Sequence, residues 1–305
     1  LTPAARHGQH PGVERVRVGD IELCYELHGD RADPLVVLVS GLGRSLAGWD
    51  EGFVELITSG GFSVLVFDNR DCGRSTILHD SPRFDFAAAL RGDRSVVRYT
   101  LDDMADDTAG LLRALGVGAA HLVGLSMGGM IAQMVAVRHP ERVCSLCSVM
   151  STTGARDAGT PTREARAVLT RRPPSGRDEF VAQELENSRI TGSHGALVDE
   201  AWRRRKFERI YDYGVHPDGT GRQLMAIVAS GDRTAALGAI SVPTLVVHGE
   251  VDTLVGVSGG QATTAAVPGA RLMVIPDMGH ELPPKVWPEL AAAIVANARS
   301  GEERG

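Results

Sequence analysis

Short unbroken apolar runs alternate along this chain with stretches in which apolar residues recur every three or four positions. Leu35-Val36-Val37-Leu38-Val39 and Val64-Leu65-Val66-Phe67 are continuous apolar runs, the pattern of parallel strands covered on both faces. Ahead of them, residues 13–18 and 21–27 flank Gly19-Asp20, which predicts a hairpin. Over residues 101–115, Leu101, Met104, Ala105, Thr108, Leu111, Leu112 and Leu115 share one face at helical spacing. Thr100 and Asp103 there supply an N-cap with an acidic partner three residues on. A strand-like run around Leu122, a helical run from Gly129 and a strand-like run over residues 143–150 follow. Residues 244–247 and 272–275 read as two more buried strands, and residues 287–298 as a closing helix. A hairpin followed by strand–helix alternation predicts an α/β fold, a mostly parallel sheet with helices on both faces.

Between residues 151 and 240 the strand pattern vanishes. The segment is rich in charge (Arg163, Arg166, Arg171, Glu179, Glu184, Glu186) and punctuated by Pro161, Pro173, Pro174 and Pro217. Residues 177–189, 199–213 and 221–229 read as helices. Because residues 233–240 lead directly into an apolar run at 242–247, the segment is expected to be a helical cap inserted between two strands, rather than an independent domain. The predicted organisation is a disordered tail over residues 1–12, a core built from residues 13–150 and 241–300, and a cap over residues 151–240.

With 305 residues, 43% hydrophobic and 23% charged, the chain has an ordinary globular composition and enough length for a two-sided core. A net charge of −6 disfavours nucleic acid as the main partner. Among the basic residues only Lys206 and Lys285 are lysines. No apolar stretch approaches the roughly 20 residues of a membrane span. The polar N-terminus lacks a charged-then-apolar signal pattern, which predicts a cytoplasmic location. Cys24, Cys72, Cys144 and Cys147 are too few and scattered for a disulfide framework. Cys144 and Cys147 form a C-x-x-C, but on a strand that spacing puts the side chains on opposite faces. Neither a metal site nor a cofactor is expected.

The candidate chemistry centres on Gly124-Leu125-Ser126-Met127-Gly128, between a strand-like and a helical run. An abrupt strand-to-helix turn strains its central residue, and flanking glycines remove the side chains that would collide there. The Ser126 hydroxyl then stands clear at the end of the sheet, before a helix N-terminus. Serine needs a base to accept its proton, and the base needs an orienting acid. Two late loops carry candidates, His248-Gly249-Glu250-Val251-Asp252 and Pro276-Asp277-Met278-Gly279-His280. Asp252 and His280 are separated by enough chain for one helix and one strand. An early strand runs into Ser40-Gly41-Leu42-Gly43, whose backbone can approach a substrate. The N–H groups of Leu42 and Met127 are the candidate oxyanion-hole donors.

With Ser, then Asp, then His in chain order, the chain resembles the α/β-hydrolase superfamily over nearly its whole length. The resemblance also rests on Phe67-Asp68-Asn69-Arg70-Asp71-Cys72-Gly73-Arg74-Ser75 and on Pro243-Thr244-Leu245-Val246-Val247-His248-Gly249. It implies an acyl-enzyme on Ser126, with His280 as general base and then acid, held by Asp252, and a small-molecule ester as substrate. Two positions depart from the family pattern. Ser40 stands where His is usual, so the loop must be anchored differently. Asp71 stands where Gly is usual, a variant that looks like the aclacinomycin methylesterase-type and esterase/lipase subgroup. Residues 124–133 also look like those of 3-oxoadipate enol-lactonases. Simple carboxylic esters are the first expectation and lactones the second. A cofactor-free perhydrolase or haloperoxidase, or a ligand receptor on the same fold, stays open. Epoxide hydrolases and haloalkane dehalogenases fit less well, because they place Asp at the Ser126 position.

Other candidates have competing structural readings. Glu250 is the rival acid, and Asp277 reads as a loop residue. His121, His139 and His248 read as structural. His194 and His216 are candidates for lining a pocket in the cap, and Trp49 either walls a pocket or packs in the core. Asp102, Asp103, Asp106 and Asp107 read as the solvated N-terminal face of a helix.

Overall fold

A computed structural model of the chain describes residues 12–79, 88 and 91–303. Apart from Gly12, the expected tail lies outside the described residues. The hairpin forms as predicted. β1 (Glu14–Val18) pairs antiparallel with β2 (Ile21–His28), and Val18 meets Ile21 across a turn in which Gly19 has φ 55°. β3 (Leu35–Val39), β4 (Ser63–Phe67), β5 (Ala120–Leu125), β6 (Val143–Val149), β7 (Thr244–Gly249) and β8 (Arg271–Ile275) complete the sheet, in the order β1-β2-β4-β3-β5-β6-β7-β8. β2 is antiparallel to β4, and the pairs from β4 through β8 are parallel. From β3 the chain steps to β4 on one side, and β5 then lies on the other. That reversal opens a crevice beyond the C-terminal ends of β3 and β5.

Helices α1 (Glu51–Thr58), α2 (Leu101–Ala114) and α3 (Met127–Arg138) lie between the strands of the first half of the chain. The Thr100 N–H donates to Asp103 Oδ2 at 2.8 Å, fixing the predicted start of α2. Strand alternation builds two cores. Val37, Val39, Leu65 and Phe67 face Leu111 of α2 and Ile131 of α3 on one side of the sheet. Val36, Leu38, Val64 and Val66 face Phe53 and Ile57 of α1 and Leu290 of the last helix on the other.

β6 and β7 are joined through the helices α4 (Arg163–Thr170), α5 (Arg177–Thr191), α6 (Glu200–Tyr213), α7 (Pro217–Ser230) and α8 (Thr234–Leu237). They are followed by α9 (Ser258–Ala266) and α10 (Trp287–Glu302). Phe180, Val181 and Leu185 of α5 pack against Phe207 and Ile210 of α6 in a small core of their own. The charge-rich segment hid α4, which buries only Ala165. α7 starts four residues earlier than its apolar pattern suggested, with Pro217 at its first position. Its first turn holds Gly219, where a Cβ would stand 2.1 Å from the Asp71 carbonyl oxygen, so close approach to the sheet sets the residue type.

One strand differs from expectation. β8 is not buried: Leu272 and Val274 are 37% and 40% exposed. It is the outer edge of the sheet, where Met273 and Ile275 turn to the core and the alternate face stays open.

Candidate active site

At the end of β5, Ser126 takes φ 56° and ψ −118°, a left-handed backbone that a non-glycine residue holds only under tertiary constraint. The Ser126 N–H donates to the Val149 carbonyl at 2.8 Å, and Met127 starts α3 directly. A Cβ on Gly124 would lie 2.2 Å from the Gly128 carbonyl oxygen, and one on Gly128 would lie 2.0 Å from that of Val39. Both glycines are therefore dictated by backbone-to-backbone contact, Gly124 across the turn and Gly128 against the end of β3.

The loop after β3 lies against this turn. A Cβ on Gly41 would come within 3.4 Å of Ser126 Cβ. Ser40, the first departure from the family pattern, accepts from the Trp49 indole N–H at 2.9 Å, and its carbonyl accepts from Asn69 Nδ2 at 3.1 Å. Trp49 thus meets both of its readings: it stacks on Phe53 and it lines the cavity described below. Leu42 lines that cavity too, and Met127 is buried at the first position of α3.

The loops after β7 and β8 bring Asp252 and His280 together. Asp252 Oδ1 accepts the N–H groups of Leu254 and Val255, each at 2.9 Å, and its Oδ2 lies 2.7 Å from His280 Nδ1. The carboxylate is wholly buried, whereas the His280 ring is 12% exposed. The His280 backbone N–H donates to the Thr191 carbonyl of α5 at 2.6 Å. An imidazole held through Nδ1 in this way keeps Nε2 as a proton acceptor. Glu250 and Asp277, the rival acids, are both exposed. His248 is buried, and its Nε2 N–H donates to the Val255 carbonyl at 2.7 Å. Burial pushes its pKa down, which keeps the ring neutral.

Ser126 and His280 line one cavity of about 380 Å³, between the strand ends and the inserted helices. Apolar side chains from the insertion, including Phe180, Phe207 and Leu224, form much of its wall. His194 and His216 do not line it. His216 Nε2 instead donates to the Gly73 carbonyl at 2.8 Å, and the His194 backbone N–H donates to the Asp277 carbonyl.

The insertion is tied to the sheet by buried polar contacts. Asp71, the second departure, has φ 65° and is buried; its carboxylate binds Arg222 of α7 through Nε and Nη2 at 2.8 and 2.7 Å. Gln223 of α7 accepts the Gly43 N–H and donates to the Arg70 carbonyl, both at 2.8 Å. Arg203 of α6 holds Glu281, next to His280, at 3.0 and 2.5 Å. Asp68 accepts from the N–H groups of Leu46 and Arg74 and from the Tyr213 hydroxyl of α6. Burial outweighs these donors and pushes its carboxyl up to about 6. None of the partners on the insertion was legible beforehand, because each lies more than 75 residues from its counterpart.

The acidic face of α2 is not wholly solvated, contrary to what its sequence predicts. Asp107 is buried and holds Arg70 through Nε and Nη2 at 2.5 and 2.6 Å, while Asp106 binds Arg138 and His139. Position 107 turns inward because it shares the helix side of Met104 and Leu111. At the N-terminal ends of the strands, His121, Cys144 and Glu302 place ligand atoms within 4.8 Å of one another. Both His121 nitrogens already have partners, Ser145 and Glu302. Cys144 is partly exposed and Cys147 buried, and burial pushes the Cys147 thiol up to about 12. No helix of the described residues is long and apolar enough to cross a membrane.

Comparison with known proteins agrees with this fold. The family described as alpha/beta hydrolase fold matches residues 34–284. Rhodomycin D methylesterase DauP of Streptomyces sp. strain C5 is 30% identical over 303 residues, covering 92% of this chain and 96% of that protein. An esterase from Thermogutta terrifontis superposes with a TM-score of 0.72 at 26% identity, over 94% of this chain and 99% of that one. The enol-lactonase of Burkholderia xenovorans LB400 shares the fold, with a TM-score of 0.68 at 22% identity, over 95% of this chain and 100% of that one.

Proposed function

The chain belongs to the α/β-hydrolase fold family, and on that premise we propose that it is a serine hydrolase cleaving carboxylic esters through Ser126, His280 and Asp252. The observation that carries this reading is the meeting of two features in one cavity: a serine on a strained strand-to-helix turn, and a histidine whose Nδ1 is 2.7 Å from a buried carboxylate. Ser126 Oγ attacks the ester carbonyl carbon while His280 Nε2 takes its proton. The resulting alkoxide is met by the N–H groups of Leu42 and Met127, which do not have to reorganise as charge develops. As the tetrahedral intermediate collapses, the imidazolium returns the proton to the leaving alcohol and leaves an acyl-enzyme. A water activated by the same imidazole then releases the acid. Asp252 stays ionised throughout and fixes the His280 tautomer.

The inserted helices act in this reading as a cap over residues 151–240 that selects substrate. The relatedness to a methylesterase favours a small alkoxy leaving group on a larger acyl portion, and the apolar wall supplied by the insertion suits such an acyl portion. Ser126→Ala is expected to abolish p-nitrophenyl ester cleavage while the melting temperature stays within a few degrees. Cleavage surviving in that variant sinks the assignment. A panel of esters, lactones and peracid-forming conditions on the wild-type protein separates esterase from lactonase and perhydrolase.

A further inference from the structure

The cavity wall and the layer behind it carry more charge than ester cleavage requires, and most of it is already paired. Arg44 binds Glu184, Arg203 closes on Glu281 through two nitrogens, and Arg209 binds Asp50 Oδ1 at 2.8 Å. Lys206 differs. It lines the cavity from α6, yet its Nζ stands 4.0 Å from Asp50 Oδ2, beyond hydrogen-bond length. Asp50 is further engaged by the Trp202 indole N–H at 3.3 Å. The Lys206 ammonium sits 4.8 Å from the centre of the Trp202 ring and makes no hydrogen bond to any described residue. Its side chain is only 16% exposed. Asp50, behind the wall, thus faces two cations, Arg209 and Lys206, of which only Lys206 lines the cavity. An ammonium so largely buried, with vacant donors, is costly unless something completes it.

We propose that Lys206 is the anchor of an anionic subsite, and that the preferred substrates are esters that also carry a carboxylate, such as half-esters of dicarboxylic acids. This rests on the serine-esterase reading for turnover, though not for binding. An incoming carboxylate accepts from Nζ, replaces the water lost on burial and supplies the negative charge the wall lacks. The Trp202 face sits against the Lys206 ammonium and favours its charged form beside the cavity. Apolar ester chains gain nothing from this group, so the subsite sets preference among substrates.

The test is the ratio of kcat/KM for the monomethyl half-esters of succinic, glutaric and adipic acids to that for methyl esters of monocarboxylic acids of matched length. In the wild type the ratio is expected to exceed one at the chain length that spans from Ser126 to Lys206. In Lys206→Met it should fall at least tenfold, and Lys206→Arg should recover part of the loss, with melting temperatures confirming that each variant folds. A ratio that Lys206→Met leaves unchanged across the series overturns the proposal. A second measurement needs no turnover. Calorimetric titration of Ser126→Ala with succinate, glutarate and adipate should give at least tenfold weaker binding when Lys206→Met is added, and equal binding overturns the subsite. Ester cleavage persisting in Ser126→Ala counts against the nucleophile alone, and the titration still decides on Lys206.

Discussion

At the scale of single residues, the site is defined by close contacts that admit few alternatives. Ser126 is held at φ 56° by two glycines, each of whose absent side chains would strike a backbone oxygen, which no rotamer change can relieve. Asp252 spends one oxygen on two backbone N–H groups and the other on His280. Asp252→Asn keeps that shape, but its amide faces His280 Nδ1 and favours the wrong tautomer. The expected outcome is a fall in kcat of about 10³–10⁴-fold with little change in melting temperature. Steady-state kinetics on a p-nitrophenyl ester check it, and a loss under tenfold removes Asp252 from the proposed triad. Ser126, Asp252 and His280 could be singled out beforehand because each follows an apolar run in a short glycine-bearing loop, a local signal. Lys206 gave no such signal; only the fold shows that it lines the cavity and that its neighbours are taken.

At the scale of elements, α7 reaches two loops that matter to the site. Gln223 grips the loop after β3 through the Gly43 N–H and the loop after β4 through the Arg70 carbonyl, and it is fully buried. The insertion therefore helps to place the loop that carries Leu42 as well as walling the cavity. Gln223→Ala is expected to lower kcat roughly tenfold on short and long esters alike, because a loosened oxyanion donor costs transition-state binding whatever the acyl chain. Phe207→Ala should instead shift preference among chain lengths. The same ester series measured on both variants tests the distinction, and a Gln223→Ala profile that depends on chain length contradicts it. The sequence pattern located α5, α6 and most of α7 by their apolar spacing. It missed α4, whose single buried residue leaves almost no apolar stripe, and the first turn of α7, which Pro217 opens ahead of the apolar residues.

At the scale of the whole molecule, the α/β layering was readable from strand–helix alternation, and the parallel order follows the runs that announced it. The exposed face of β8 was not readable, since an apolar run looks the same at the edge of a sheet as at its centre. Charge burial gives the molecule a pH signature. The Asp68 carboxyl, at about 6 in the native state, titrates near 4 when unfolded, roughly 3.9 for a free side chain. The native state therefore holds this proton more tightly. The group stabilises the fold fully below about pH 4, and that contribution is lost as pH rises through about 6, by about 3 kcal/mol in all. Urea unfolding of the wild type and of Asp68→Asn should show the wild type's relative stability to be greater at pH 4 than at pH 7. A pH-independent difference refutes this account. The contacts Asp71–Arg222, Gly43–Gln223, Asp68–Tyr213 and Glu281–Arg203 all cross from the sheet to the insertion. Grafting the insertion of a relative onto this sheet is consequently not a matter of matching two chain ends. A graft lacking Arg222 or Arg203 strands a buried carboxylate, at a cost of about 3–5 kcal/mol each, so the compatible donors are those that bring the matching halves of these pairs.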